Sequence, residues 1–171
     1  IILHGLNQSE ESIINIVNLI RSKKRGIKFI IPFANKMNIV WPDGSSENSI
    51  SWYNYYSRYD NLFKHDLINQ SEFKKNTEYI TDIFEQESKL IDTSKIFLCG
   101  ISQGGTLAIN VSLNLKFKIN YIICIDTIFL HLYHDFRVKN LNQTYHIYKS
   151  DNDYIGLLYT SPSPRDPWKS R

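Results

Sequence analysis

A single serine between glycines is the part of this sequence best suited to chemistry. Residues 95–109 read KIFLCGISQGGTLAI, so Gly100, Ser102 and Gly104 have the G-x-S-x-G spacing. An apolar β-type run precedes the serine and a helical pattern follows it, which is the strand, turn and helix context of a nucleophile elbow. A turn this tight presses backbone against backbone, so glycine is needed on both sides. We therefore predict that Ser102 is a nucleophile.

The helix after the serine provides a reason for this placement. A hydroxyl is a weak nucleophile until a base removes its proton. A helix that begins at Gln103 points N–H groups and partial positive charge at any oxyanion formed on Ser102. Gly105 continues the glycine run and is assigned to the support of the turn. The alternatives are a plain glycine-rich turn and a phosphate-binding turn, but the Walker lysine and the G-x-G-x-x-G triplet are both missing.

The apolar pattern predicts the elements that must position this serine. Ser9 is a plausible N-cap of a helix over 9–25 that Gly26 stops, and Ser71 a plausible N-cap of a helix over 71–91. A third helix follows Ser102, and strands are predicted at the N-terminus and over 27–32, 94–99, 119–126 and 144–150. This alternation is typical of an α/β domain with a mostly parallel sheet and helices on both faces.

The segment 33–70 gives no clear pattern. It mixes Pro-Asp-Gly and Ser/Asn turn chemistry with many aromatic residues. Long irregular connections in compact domains are usually functional or mobile. We expect this one to form the rim of a site, with an aromatic-rich packed loop as the equal alternative.

Composition bounds the remaining possibilities. The chain has 171 residues, of which 42% are hydrophobic, and this fits one globular domain. No apolar run has the length of a membrane span, and no signal peptide is recognised at the N-terminus. Cys99 and Cys124 lie in apolar β-type runs, so buried reduced thiols and a cytoplasmic location are expected. The basic run at 21–25 is interpreted as a solvated helix end.

A family resemblance adds to these inferences. The segment FLCGISQGGTLAI resembles the acyl-protein thioesterase, or phospholipase/carboxylesterase, family of α/β hydrolases, whose elbow reads G-F-S-Q-G-G. The segments TEYITDIFEQE, SWYN at 51–54 and LHGLNQSEES resemble the same family. The resemblance implies an α/β-hydrolase fold, incomplete at both ends. It also implies ester or thioester cleavage through an acyl-serine intermediate, with no metal and no cofactor.

The resemblance also implies roles near the N-terminus. The backbone N–H of Leu6 is expected to join that of Gln103 as an oxyanion donor. His4 and Gly5 are expected to support this loop. His4 is interpreted as a brace and not as the general base, because the chain order in this fold is Ser, Asp, His.

The acid of the triad is expected after the strand at 144–150. There Lys149 and Ser150 replace the His-Gly of the family pattern H-G-x-x-D, and Asp153 stands at the acid position, with Asp151 as the rival. No histidine follows Asp153. The earlier histidines are interpreted as surface or loop residues: His65, His131, His134 and His146. We therefore expect the catalytic histidine beyond this sequence, and the chain as written to be inactive.

The end of the chain differs from the rest. Residues 157–171 read LLYTSPSPRDPWKSR, and their codons resemble a sequencing adapter. We interpret 1–156 as a partial α/β-hydrolase domain and 157–171 as a non-native tail. Without the tail the net charge falls from +3 to +1, so no nucleic-acid partner is expected.

The acyl substrate is not readable from sequence. An S-acylated protein, a lysophospholipid and a small ester all require the same machinery. Trp52 is interpreted either as a lining residue of an apolar acyl pocket or as core packing. The alternatives for the whole protein are a general carboxylesterase and a non-catalytic α/β-hydrolase-like binding module, and the oligomeric state is left open.

Overall fold

The computed structural model describes residues 1–40, 45–54, 68–127, 130 and 142–150. In chain order its elements are β1 (Ile2–Leu3), α1 (Glu10–Lys23), β2 (Lys36–Val40), β3 (Ser46–Ile50), α2 (Gln70–Glu87), β4 (Phe97–Ile101), α3 (Gln103–Asn114), β5 (Tyr121–Ile125) and β6 (Tyr145–Tyr148). A one-turn 3₁₀ helix at Thr93–Lys95 precedes β4.

The main sheet is parallel. Its strands lie in the order β1, β4, β5, β6, and every neighbouring pair runs in the same direction. Ile101 lies opposite Ile125, which lies opposite Tyr148, so β4, β5 and β6 end at the same edge. In open parallel sheets, ligands bind outside this carboxyl edge. The predicted α/β class is confirmed.

Helices cover both faces of this sheet. On one face, Ile13 and Val17 of α1 are buried against Ile2, with Cys99 and Ile101 packed beside them. On the other face, α3 packs on β4 and β5, and α2 packs on α3. The buried core of this second face includes Leu3, Phe84, Leu98, Leu107, Ile122 and Cys124. The strands β1 and β4 therefore contribute side chains to two separate clusters.

The ends of α1 agree with the sequence pattern more closely than those of α2. Ser9 caps α1 by accepting the N–H of Ser12. The predicted cap of α2 is wrong, because the Asn69 side chain accepts the N–H groups of Ser71 and Glu72. The helix also ends at Glu87, and Leu90 is 75% exposed, so helical spacing of apolar residues overstated its length.

Two further predictions differ from the structure. The strand predicted over 27–32 is not formed in the described part of the chain, although the Ile2 N–H donates to the Ile30 carbonyl at 2.9 Å. A parallel ladder needs a series of evenly spaced bonds, and among the described residues this is the one backbone bond that joins β1 to 27–32. The irregular segment predicted over 33–70 contains an antiparallel hairpin, in which β2 pairs with β3.

The two cysteines are free thiols, with Cys124 buried and Cys99 half-buried. Burial raises the pKa of the Cys124 thiol to about 12. Among the described helices, none combines the length and the apolar character that crossing a bilayer requires.

Candidate active site

Ser102 occupies a strained corner between β4 and α3. Its φ of 50° and ψ of −117° are unusual for a residue with a side chain. Its N–H donates to the Ile125 carbonyl at 2.8 Å, and its carbonyl accepts the N–H groups of Gly105 and Thr106. The side chain makes no capping bond to α3 and is half-buried. Main-chain bonds on both sides therefore fix the serine at the carboxyl edge.

The glycines around Ser102 are sites of close backbone approach. A Cβ on Gly100 would lie 2.5 Å from the Gly104 carbonyl oxygen, and one on Gly104 would lie 2.5 Å from the Leu3 carbonyl oxygen and overlap that of His4. A Cβ on Gly105 would overlap the hydroxyl of Thr127. The first turn of α3 thus lies directly against the ends of β1 and β4, as the crowding argument predicts.

The loop after β1 lies beside the serine. A Cβ built on Gly5 would be 3.4 Å from the Ser102 Cβ. The neighbouring amides of this loop are bonded within the protein: Gly5 N–H to Gln8 Oε1 at 2.7 Å, and Asn7 N–H to the Ile50 carbonyl at 2.8 Å. The Leu6 N–H has no hydrogen-bond partner among the described residues.

The start of α3 has a second backbone N–H for which the described residues provide no acceptor. Gln103 is the first helical residue, so its N–H has no carbonyl in a preceding helical turn. It directly follows Ser102 at the same edge of the sheet. Two main-chain donors, those of Leu6 and Gln103, therefore have no acceptor among the described residues, and both lie on segments that adjoin the serine.

His4 is held as a neutral imidazole. The Ala34 N–H donates to its Nε2 at 3.0 Å, so the proton is on Nδ1, which donates to the Gly5 carbonyl at 2.7 Å. The ring stacks between Phe33 and Trp52, and burial lowers the pKa of His4. Both ring nitrogens are occupied, which fits a brace for the loop and leaves neither nitrogen free to accept a proton from Ser102.

The side chain of Gln103 connects the elbow to this loop. Its Oε1 accepts the backbone N–H of Trp52 at 2.9 Å. Its Nε2 donates to the Tyr53 carbonyl at 2.8 Å and to Ser51 Oγ at 2.9 Å. The Trp52 indole in turn donates to the His4 carbonyl at 2.9 Å. Sequence reasoning missed this network, although the SWYN segment was the signal that pointed to it.

Trp52 is fully buried. Its ring lies 4.8 Å from the His4 ring, and its indole N–H is bonded to the main chain. This placement favours core packing over the alternative in which Trp52 lines an open acyl pocket.

Asp126 is a second polar residue at this edge that sequence reasoning missed. It follows β5 with a φ of 49°, and its carboxylate accepts the Ser150 N–H at 2.7 Å and the Ser150 hydroxyl at 3.1 Å. Its own N–H donates to the Tyr148 carbonyl at 2.9 Å. The signal in the sequence was an acidic residue directly after the apolar run YIICI.

The remaining predicted residues are acidic residues and histidines of the second half of the site and of the surface. Asp151 and Asp153 lie outside the described residues, as do His65, His131 and His134. His146 is exposed and contacts the Tyr121 ring edge-on at 4.7 Å, which agrees with a surface role. Within the described ranges, no three His, Cys, Asp or Glu side chains come together as a metal site would require.

Similarity to known proteins extends over most of the chain. The sequence profile described as Phospholipase/Carboxylesterase matches residues 1–157. Among solved structures, SOBER1 of Arabidopsis thaliana is similar with a TM-score of 0.60 and 20% identity, over 74% of this chain and 60% of that one. This chain thus spans less than two thirds of that SOBER1 chain.

Two further structures are similar over a larger share. A single-substitution variant of Arabidopsis thaliana SOBER1 has a TM-score of 0.65 and 15% identity, over 87% of this chain and 86% of that one. Esterase PE8 has a TM-score of 0.57 and 16% identity, over 87% and 80%. Together with the profile match, these likenesses confirm the α/β-hydrolase fold. No curated protein matches the chain.

Proposed function

Because the chain belongs to the phospholipase/carboxylesterase family, we propose that it acts as a serine hydrolase of ester or thioester bonds. The proposal depends on one observation above all. The Leu6 and Gln103 N–H groups lack protein partners in the described part of the chain, on the two segments that adjoin Ser102. Such amides can bind the negative oxygen of a tetrahedral intermediate.

The reaction begins when the Ser102 oxygen attacks the carbonyl carbon of the substrate. A base takes the hydroxyl proton and passes it to the leaving alcohol or thiol, so an acyl-Ser102 intermediate remains. Water then attacks this ester. The same base takes a proton from the water and passes it to the Ser102 oxygen as the carboxylic acid is released. The base is a histidine that we expect after Asp153 in the full-length gene product, with Asp153, or its rival Asp151, as the acid that orients it.

The oxyanion donors act because they are already in place. Loss of one such donor typically lowers the rate by about 10² to 10³. Leu6 is fixed by its neighbours, since Gly5 and Asn7 are bonded to Gln8 and Ile50. Gln103 is fixed by its buried side-chain amide. Neither amide needs to move when the oxyanion forms.

The substrate class is an acyl ester or thioester: an S-acylated protein, a lysophospholipid or a small carboxylester. This chemistry needs only main-chain donors and a proton carrier, so no cofactor or metal takes part in it. We propose a cytoplasmic location, which two free thiols support.

A fluorophosphonate probe tests the nucleophile on the full-length gene product. Wild type should be labelled, Ser102→Ala should not, and Ser22→Ala, which removes an exposed hydroxyl from α1, should label like wild type. Absence of labelling in well-folded full-length wild type would overturn the proposal and favour the non-catalytic binding module.

A further inference from the structure

We propose that Asp126 is a positioning residue that fixes the start of the acid-bearing loop through Ser150. The inference deepens the proposed function and rests on it for the role of that loop. The contact between the Asp126 carboxylate and Ser150 is called the Asp126 clamp below.

The clamp consists of two hydrogen bonds to one carboxylate, and a main-chain bond of the same residue lies beside it. The carboxylate Oδ1 accepts the Ser150 N–H at 2.7 Å, and Oδ2 accepts the Ser150 hydroxyl at 3.1 Å. The Asp126 N–H donates to the Tyr148 carbonyl at 2.9 Å. Hydrogen bonds to a charged acceptor are stronger than those between neutral groups, so Asp126 holds residue 150 firmly against the end of β5.

Asp126 is also anchored on the side of the nucleophile. It directly follows Ile125, whose carbonyl accepts the Ser102 N–H at 2.8 Å. Its positive φ of 49° is a sparsely populated conformation, of the kind that collects at functional sites. One residue therefore links the main chain at Ser102 to the main chain at Ser150.

The sequence makes this link relevant to the acid. Ser150 precedes Asp151 by one residue and Asp153 by three. Three residues span at most about 11 Å, so a fixed Ser150 limits how far either carboxylate can travel. Without the clamp, Tyr148, where β6 ends, would be the last residue paired with β5, and the five residues from Tyr148 to Asp153 can span about 18 Å.

A departure from the family pattern coincides with this contact. Ser150 stands where the pattern H-G-x-x-D has glycine, and its added hydroxyl is one of the two groups that bind Asp126. The Ser150 hydroxyl thus provides a hydrogen-bond donor for the Asp126 carboxylate, and the carboxylate provides an acceptor for the hydroxyl.

Asp126→Ala and Asp126→Asn in the full-length gene product test the inference. Asparagine still accepts the Ser150 N–H and can donate to its hydroxyl, so it should keep kcat/KM within about threefold of wild type. Alanine removes the charged acceptor, and we expect a fall of about 10- to 100-fold, mainly in kcat. Ser150→Ala, which keeps the N–H bond, should lie between the two.

Two activity results would overturn a positioning role. If Asp126→Asn is as damaging as Asp126→Ala while Asp153→Asn and Asp151→Asn are mild, Asp126 is itself the triad acid. If Asp126→Ala lowers the melting temperature but leaves kcat unchanged, the clamp is only structural.

Hydrogen exchange at the Ser150 amide separates this inference from the proposed function. The amide should be protected in wild type and Asp126→Asn, and should exchange rapidly in Asp126→Ala. If that pattern holds but wild type is not labelled by the fluorophosphonate, the hydrolase proposal fails and the clamp remains. If wild type is labelled and Ser150 protection does not depend on Asp126, the clamp is wrong.

Discussion

Replacement of Gln103 by methionine tests whether its buried side-chain amide holds together the start of α3 and the loop that carries Leu6. Methionine has nearly the same length and volume, so the cost of a cavity is small. The Trp52 N–H would lose its acceptor at 2.9 Å, while the Tyr53 carbonyl would keep the Ser51 hydroxyl at 2.8 Å. Only the Trp52 N–H is therefore left without a partner in the buried network.

The magnitude follows from these contacts. A buried donor without a partner costs about 1–3 kcal/mol, and the lost bonds to Ser51 and Tyr53 cost about 1 kcal/mol each. We expect Gln103→Met to lower the free energy of unfolding by about 3–5 kcal/mol. Ser51→Ala is the matched control, because Gln103 then keeps both Trp52 and Tyr53. It removes the Ser51 hydroxyl's bonds to Gln103 and to the Tyr53 carbonyl, so it should cost about 2 kcal/mol.

Urea unfolding of the full-length gene product, followed by circular dichroism, measures both values. Fluorophosphonate labelling of the folded variants adds a functional readout. Gln103→Met should label about tenfold more slowly, since a displaced oxyanion donor loses part of its contribution. The link between the start of α3 and the Leu6 loop would be refuted if the two variants had equal free energies of unfolding. It would also be refuted if Gln103→Met were labelled at the wild-type rate.

Two further substitutions give sharper contrasts. Gly104→Ala should destabilise the protein by several kcal/mol in urea unfolding, roughly the cost of severe overpacking, because its Cβ would press on the main chain of β1. In Gly5→Ala the added Cβ would lie 3.4 Å from the Ser102 Cβ, so the variant should fold, but the methyl group should slow fluorophosphonate labelling of Ser102. The reasoning fails if Gly104→Ala and Gly5→Ala have the same free energy of unfolding. Burial lowers the pKa of His4 below its usual 6.5, so the unfolded chain binds a proton that the folded protein does not. The free energy of unfolding should therefore fall as the pH drops below about 6.5, by at most about 1.4 kcal/mol per pH unit. In His4→Gln the free energy of unfolding should depend less steeply on pH. Equal pH dependence in wild type and His4→Gln would contradict this.

The parts of the fold that sequence predicts well are those set by local chemistry. The Ser9 cap, the glycines of the elbow and the apolar strands around Ser102 all depend on neighbours a few residues away. The hairpin of β2 and β3 was missed because its strands, KMNIV and SENSI, show little apolar alternation. Its register depends instead on pairing between segments, which no single window of sequence reveals.

The candidate site divides in the same way. The position of Ser102 follows from a motif, since strain, glycines and helix start lie within a few residues. The partners of Gln103 are about 50 residues away, and the partner of Asp126 is 24 residues away. Such contacts depend on the sheet order, so sequence patterns locate the edge where chemistry occurs but not the side chains that hold it together.

Ser102 and Asp126 repeat one geometry on adjacent strands. Each follows a parallel strand with φ near 50°, and each donates its N–H to the next strand, Ser102 to the Ile125 carbonyl and Asp126 to the Tyr148 carbonyl. The hydrogen bonds between adjacent strands therefore determine where Ser102 and Asp126 lie at the carboxyl edge of the sheet. A nucleophile after β4 and a loop anchor after β5 are thereby held in register by the main chain, which leaves the Ser102 hydroxyl for the reaction and the Asp126 carboxylate for Ser150.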